Sequence, residues 1–211
     1  MRVGKNVLGV FALMAAAAVV PAKAATIVYD FTSDHCTGGC GPAGTIFGNI
    51  SLIESGAILN VTVHLNSGFG FAKTGSVDFQ TFLFNGVGVA LGDITVDAHV
   101  PVLTATSGPY TASGIGAFSF GIGCSLCGNG LSSTFTNDFT FHVANATIAD
   151  LTTTLVSGTP FVADIGNLAT GNTGPIDASV HSTVPEPITS GLVGTGLISL
   201  FFLRRRITGK A

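Results

Sequence analysis

Four cysteines in two tight clusters, Cys36-Thr37-Gly38-Gly39-Cys40 and Cys124-Ser125-Leu126-Cys127, are the residues of this 211-residue chain best placed for covalent or metal chemistry. Glycines 38 and 39 supply the backbone freedom that a very small ring needs, so a disulfide within each cluster is favoured. Each ring closes only a few residues, and loop-closure entropy then gives it the role of pinning a loop rather than holding the domain together. Cross-pairing between the clusters and a four-thiolate zinc site stay open as alternatives, since both spacings permit them. The C-x-x-C has no βαβ surroundings of the thioredoxin kind, and Gly128 stands where haem attachment requires histidine.

The other reactive side chains are scattered. Five histidines (His35, His64, His99, His142, His181) form no H-E-x-x-H and no i, i+4 pair. His64 and His142 fall on the polar phase of alternating segments and read as solvated. His35 beside Cys36 would activate a thiolate only if Cys36 were free. There is no G-x-S-x-G nucleophile elbow. Asp93, Asp97, Asp138, Asp150, Asp164 and Asp177 lack EF-hand spacing, and a glycosidase pair would need two of them to converge in space. The expectation is a non-enzyme with no catalytic residue, metal or cofactor.

The elements that must position these residues read as strands. Val61, Val63 and Leu65 alternate with Thr62 and His64, and Phe139, Phe141 and Val143 with Thr140 and His142. Phe82-Leu83-Phe84 and Ala117-Phe118-Ser119-Phe120 behave alike. Further strands are expected near 26–32, 45–53, 94–100, 147–156, 160–165 and 176–182. Turn signals separate them at Asn66-Ser67-Gly68, Asn85-Gly86, Ser107-Gly108-Pro109, Asn129-Gly130 and Gly171-Asn172-Thr173-Gly174. Short strands at this rhythm predict an all-β, antiparallel β-sandwich or jelly-roll-like domain. Of the 16 phenylalanines, thirteen lie between residues 25 and 184, enough for its core.

Charge divides the chain into three. The formal net charge of −3 averages two basic ends with an acidic middle. Residues 25–184 carry ten acids against one lysine, Lys73, a net of −9, which excludes a nucleic-acid partner. At the N-terminus Arg2 and Lys5 precede an apolar run from Val7 to Val20. Pro21-Ala22-Lys23-Ala24 follows, with Ala22 and Ala24 matching the A-x-A of a signal peptidase site ahead of Ala25. Residues 1–24 are expected to be a helical signal peptide. At the C-terminus Val184-Pro185-Glu186-Pro187 leads into the uncharged stretch 188–203, then Arg204, Arg205 and Arg206 in a basic tail, 204–211. A helix over 188–203 is about 24 Å long, close to the hydrocarbon thickness. The arginines would stay cytoplasmic, leaving an exported body, 25–183, outside an inner-membrane anchor.

Val184-Pro185-Glu186-Pro187, the apolar helix and the arginine cluster together resemble the PEP-CTERM sorting domain of Gram-negative bacteria. The resemblance implies cleavage near the Pro-Glu-Pro by an exosortase, and a producer that makes exopolysaccharide and biofilm. Two prolines flanking Glu186 suit this, because they block helix and hold an extended segment for a protease cleft. Residues 115–178 also resemble an uncharacterised group of PEP-CTERM proteins, through Gly116-Ala117-Phe118-Ser119-Phe120, Cys124–Gly128, Phe139–Val143, Phe161–Ile165 and Thr170–Gly174. The expected function is a non-catalytic protein of the cell surface or biofilm matrix, in contact with exosortase, signal peptidase and exopolysaccharide. The alternative is a carbohydrate-binding module or a secreted hydrolase acting on exopolysaccharide. The module is disfavoured by the absence of Trp and a Tyr count of 2.

Overall fold

The computed structural model describes residues 25–153 and 159–183. The segments expected to be signal peptide (1–24) and sorting signal (184–211) lie outside the described residues. Among the described residues no helix is long and apolar enough to cross a membrane.

Among the described residues twelve strands form one sheet: β1 (Thr26–Asp34), β2 (Gly48–Ser55), β3 (Ile58–Leu65), β4 (Phe69–Lys73), β5 (Phe82–Phe84), β6 (Ile94–Val96), β7 (Thr104–Ala112), β8 (Gly116–Gly123), β9 (Gly130–Phe135), β10 (Phe139–Ala144), β11 (Phe161–Asn167) and β12 (Thr173–Thr183). Their order is β6-β10-β3-β2-β1-β12-β11-β5-β8-β7, with β4 joining β11 to β9, and every pairing is antiparallel. The all-β expectation therefore holds. The expected pair of separate sheets is replaced by one sheet curled into a nearly closed, barrel-like arrangement. Phe82 of β5 lies 5.8 Å from Phe139 and 5.9 Å from Phe141 of β10, although these strands are far apart in sheet order.

Alternation creates this core. In β3 and β10 every second residue is buried: Leu59, Val61, Val63 and Leu65 on one, Phe139, Phe141 and Val143 on the other. Their partners between, including His64 and His142, face outward. β5 is buried on both faces. Phe82 and Phe84 enter the main core, while Leu83 joins Val77, Ala112, Ile115, Phe118 and Val162 in a smaller one.

The sequence reading omits β4, β7 and β9 and is corrected at three segments. The strand expected over 147–156 is instead a short helix, α1 (Ile148–Thr152). Thr147 and Asp150 form a capping box that satisfies the first helical N–H groups, and Ile148 and Leu151 are buried. Ser107-Gly108-Pro109, read as a turn, is an irregularity inside β7, with a register shift between Ser107 and Tyr110. A Cβ at Gly108 would lie 2.7 Å from the Phe118 carbonyl, so only glycine fits. β7 ends the sheet path, which is where a proline is tolerated. Finally, the strand expected over 94–100 stops at Val96.

Candidate functional site

The first and last strands are neighbours. Ile27 pairs with Thr183 and Asp34 with Ile176, so residues 26 and 183 leave the sheet side by side. Ala25, the expected first residue after signal cleavage, is anchored there: its carbonyl accepts the Glu54 N–H. Ala22, Ala24, the motif Val184, Pro185, Glu186, Pro187 and Arg204, Arg205, Arg206 lie outside the described residues. The loops following β1, β3 and β11 gather at the opposite end of the sheet, as the pairings of Asp34, Leu65 and Asn167 require.

All four cysteines are paired within their clusters, Cys36 with Cys40 and Cys124 with Cys127, with Cα separations of 5.5 and 5.3 Å. In the first loop the Asp34 carboxylate accepts the N–H groups of Cys36 (2.9 Å), Cys40 (2.7 Å) and Gly41 (3.1 Å). Asn172 Nδ2 donates to the Gly38 and Gly39 carbonyls, and Asn167 Nδ2 to that of Cys40. Gly38 and Gly39 have φ of 82° and 77°, the left-handed region where glycine is favoured. Asp34, Cys36 and Cys40 hold their donor atoms within 4.8 Å of one another. The disulfide and the three N–H bonds explain that grouping without an ion.

The second loop is held differently. Lys73, at the end of β4, donates from Nζ to the carbonyls of Cys124 (3.1 Å) and Cys127 (3.5 Å). Leu126 at its tip is 86% exposed. Beside it lies a cleft of about 210 Å³, lined by Lys73, Phe79, Gln80, Thr104, Thr106, Gly123, Cys124 and Ser125. Lys73 and Phe79 of its lining flank a tight 3₁₀ turn, Gly75–Val77, in which Thr74 Oγ1 accepts the Ser76 N–H. The turn exits through two consecutive non-glycine residues in the left-handed region, Asp78 (φ 49°) and Phe79 (φ 61°). That conformation is disfavoured for residues with a Cβ and persists only where its surroundings enforce it. Here the Phe79 N–H is taken by the Thr74 carbonyl and the Asp78 carboxylate by the Thr111 N–H. The result presents a half-exposed Phe79 ring, 49% accessible. Gln80 lies across β8: a Cβ on Gly121 or Gly123 would come within 2.6 Å of its side chain. Gln80 Oε1 is 3.3 Å from the Thr106 hydroxyl.

Asp164 anchors this turn from inside. It is fully buried on β11, its carboxylate accepts the Thr74 N–H through Oδ2, and its own N–H goes to the Thr81 carbonyl. Among the described residues Oδ1 has no hydrogen-bonding partner. Burial pushes its pKa up to about 7 against the pull of the Thr74 bonds.

Three other histidines pair with acids, and two other acids cap turns, while His99 Nδ1 meets the Pro101 carbonyl. His35 contacts Asp177 (3.1 Å), His64 contacts Asp138 (2.7 Å) and His142 contacts Asp97 (2.7 Å), all at least partly exposed. Asp93 and Asp150 cap turns through the N–H groups of Ala90 and Thr147. A larger hollow of about 410 Å³ lies against Asn85, Gly108, Pro109, Ala117, Phe118 and Ser119. Its polar groups serve one another, Asn85 bonding Ser119 N and the Ala117 carbonyl. Sequence reasoning missed the cleft altogether. Its signals were Lys73 as the lone lysine or arginine of the body, and the Gly-x-Gly of residues 121–123.

The family model of the PEP-CTERM protein-sorting motif matches residues 183–206. No curated protein and no solved structure matches the chain. The chain thus carries the sorting signal expected from Val184–Pro187, the apolar stretch and the arginines. That signal marks an exported protein with a C-terminal membrane-anchoring segment, processed by an exosortase.

Proposed function

We propose that this chain is a non-catalytic protein of the cell surface or biofilm matrix, held with the producer's exopolysaccharide after exosortase cleavage near Val184-Pro185-Glu186-Pro187. The observation that carries the reading is the pairing of Ile27 with Thr183, at the residue where the sorting motif begins. Residues 26 and 183, next in sequence to the two expected processing points, leave the sheet at one end, and the disulfide-pinned loops occupy the other. Such a layout suits display: attachment and presentation use opposite ends of one domain. The acids of the body support the non-catalytic part. Those described above serve as caps, ion pairs or the buried anchor of a loop, which are structural uses.

The test is intact-mass analysis and surface labelling of the protein from an exosortase-bearing producer and from its exosortase-deleted sibling. The expected result is a C-terminus within 184–187 and surface labelling only where the exosortase is present. An unshortened C-terminus ending at Ala211 in both strains overturns the reading. The carbohydrate-binding alternative is favoured by one observation, the cleft beside Lys73.

A further inference from the structure

We propose that the cleft between the Cys124–Cys127 loop and the 74–80 turn is a binding site for one ring of a carboxylated saccharide. Lys73 is the partner of the carboxylate, Phe79 the apolar wall, and Gln80 with Thr104 and Thr106 the hydroxyl-reading edge. The proposal deepens the exported-surface reading, on which it rests only for where the ligand is met.

Charge selects the ligand class. The body carries a net of −9, and Lys73 is its only lysine or arginine. None of the residues lining the cleft is acidic. Two acids adjoin the lining segment, Asp78 beside Phe79 and Asp164 bonded to Thr74, and they are engaged by the N–H groups of Thr111 and Thr74. An anion approaching elsewhere meets repulsion, whereas here it meets an ammonium. Lys73 has three N–H donors, two of which go to the Cys124 and Cys127 carbonyls. Those bonds fix Nζ in place and leave one donor for a charge-assisted bond to a carboxylate.

Shape and polarity select the rest. Sites for small ligands combine apolar walls with a few placed polar groups. Here Phe79 supplies the wall, and its unfavourable backbone conformation is what exposes the ring. Gln80 accepts from Thr106 through Oε1, and among the described residues nothing accepts from its Nε2. That amide, the Ser125 hydroxyl and the Thr104 oxygen, whose own O–H goes to the Gly123 carbonyl, offer the mixed donors and acceptors that a polyhydroxylated ring needs. Glycines 121 and 123 keep Gln80 flat against β8, since a Cβ at either would lift it. A volume of about 210 Å³ is below the ~300–1,000 Å³ of sites that engulf a whole ligand. It fits one ring of a chain passing across the surface.

The experiment uses the full chain in detergent micelles, titrated by calorimetry with a tetramer of galacturonic acid and with the neutral tetramer of galactose. The acidic tetramer should bind at least about tenfold more tightly than the neutral one, and the difference should shrink as salt is raised. Lys73→Gln should abolish the preference, Lys73→Arg should keep it, and Phe79→Ala should weaken both ligands. Leu126→Ser, outside the lining, should change nothing. Amide NMR or circular dichroism of each variant separates loss of binding from loss of fold, with Lys73→Arg as the folded reference. Equal affinity for both tetramers, no binding of either, or a preference that survives in folded Lys73→Gln overturns the proposal. Each of these failures leaves exosortase processing and surface labelling untouched, so the two readings fall separately.

Discussion

The Cys36–Cys40 loop gives its N–H groups to the Asp34 carboxylate and its carbonyls to the Asn167 and Asn172 amides. The Cys124–Cys127 loop, one residue shorter, gives two carbonyls to a single ammonium, Lys73, and leaves Leu126 in solvent. Both rings have the same covalent chemistry. They differ in what surrounds them. The first is keyed to the β11–β12 turn, where Gly174 lets the chain approach so closely that a Cβ would lie 2.7 Å from the Cys36 Cα. The second borders a cleft whose wall hangs on a buried acid, Asp164. A disulfide alone therefore does not decide whether a loop is cemented or available to a ligand; the neighbouring polar groups do.

That contrast can be broken most strongly through pH. Burial raises the Asp164 pKa to about 7 from the ordinary carboxylate value of 3.8. Between those values the folded state holds a proton that the unfolded state has lost, so stability falls as pH rises from about 4 to about 7 and is level above. By linkage the change is on the order of 4 kcal/mol at most. Urea unfolding at a series of pH values should show this slope, and Asp164→Asn should flatten it. Amide exchange should quicken in 74–80 and 124–128 across that window while 36–40 stays unchanged. Equal quickening in both loops would end the contrast.

Next in size is Asp34→Ala, which leaves three loop N–H groups without their acceptor and should cost about 2–3 kcal/mol in urea unfolding. Lys73→Met, the matching change at the second loop, should cost about 1 kcal/mol or less, because its bonded carbonyls are partly open to water. Replacing each cysteine pair by serine should cost about 2 kcal/mol on the loop-entropy relation. Only the Cys124→Ser, Cys127→Ser pair should also weaken saccharide binding at the cleft. The smallest difference lies in the glycines. Gly174→Ala meets backbone and should cost about 1–2 kcal/mol, whereas Gly128→Ala meets the rotatable Ser132 hydroxyl and should cost about 0.5 kcal/mol. Melting temperatures of the two variants check this.

The strands with strict alternation, β3 and β10, were legible because one face is buried and one is wet. The short-range disulfides were legible for a related reason, since the ring and its glycines are local. What escaped was set by distant contacts. β4 and β9 are short strands whose pairing with each other and with β11 supplies what their sequences do not announce. Thr147–Thr154 has the composition of a strand, yet a local capping box wins for α1. The cleft was invisible because Lys73, Phe79 and Thr106 are brought together by β4, a left-handed turn and β7, and no spacing rule joins them. Asp164 is one of six aspartates whose spacing announces nothing. Its burial comes from position: it occupies the same phase of β11 as Val162, on the face covered by the 74–79 turn.

The pairing of β1 with β12 has a mechanical consequence. β12 is hydrogen-bonded on both sides, to β1 from Ile176 to Thr183 and to β11 from Thr173 to Asp177. If the chain is gripped at its C-terminal end and pulled from the opposite rim, the load runs along β12. Its ladder bonds then resist together in shear, instead of opening one at a time as a zipper would. A terminal strand placed between two antiparallel neighbours gives the domain its greatest resistance to a pull directed along β12.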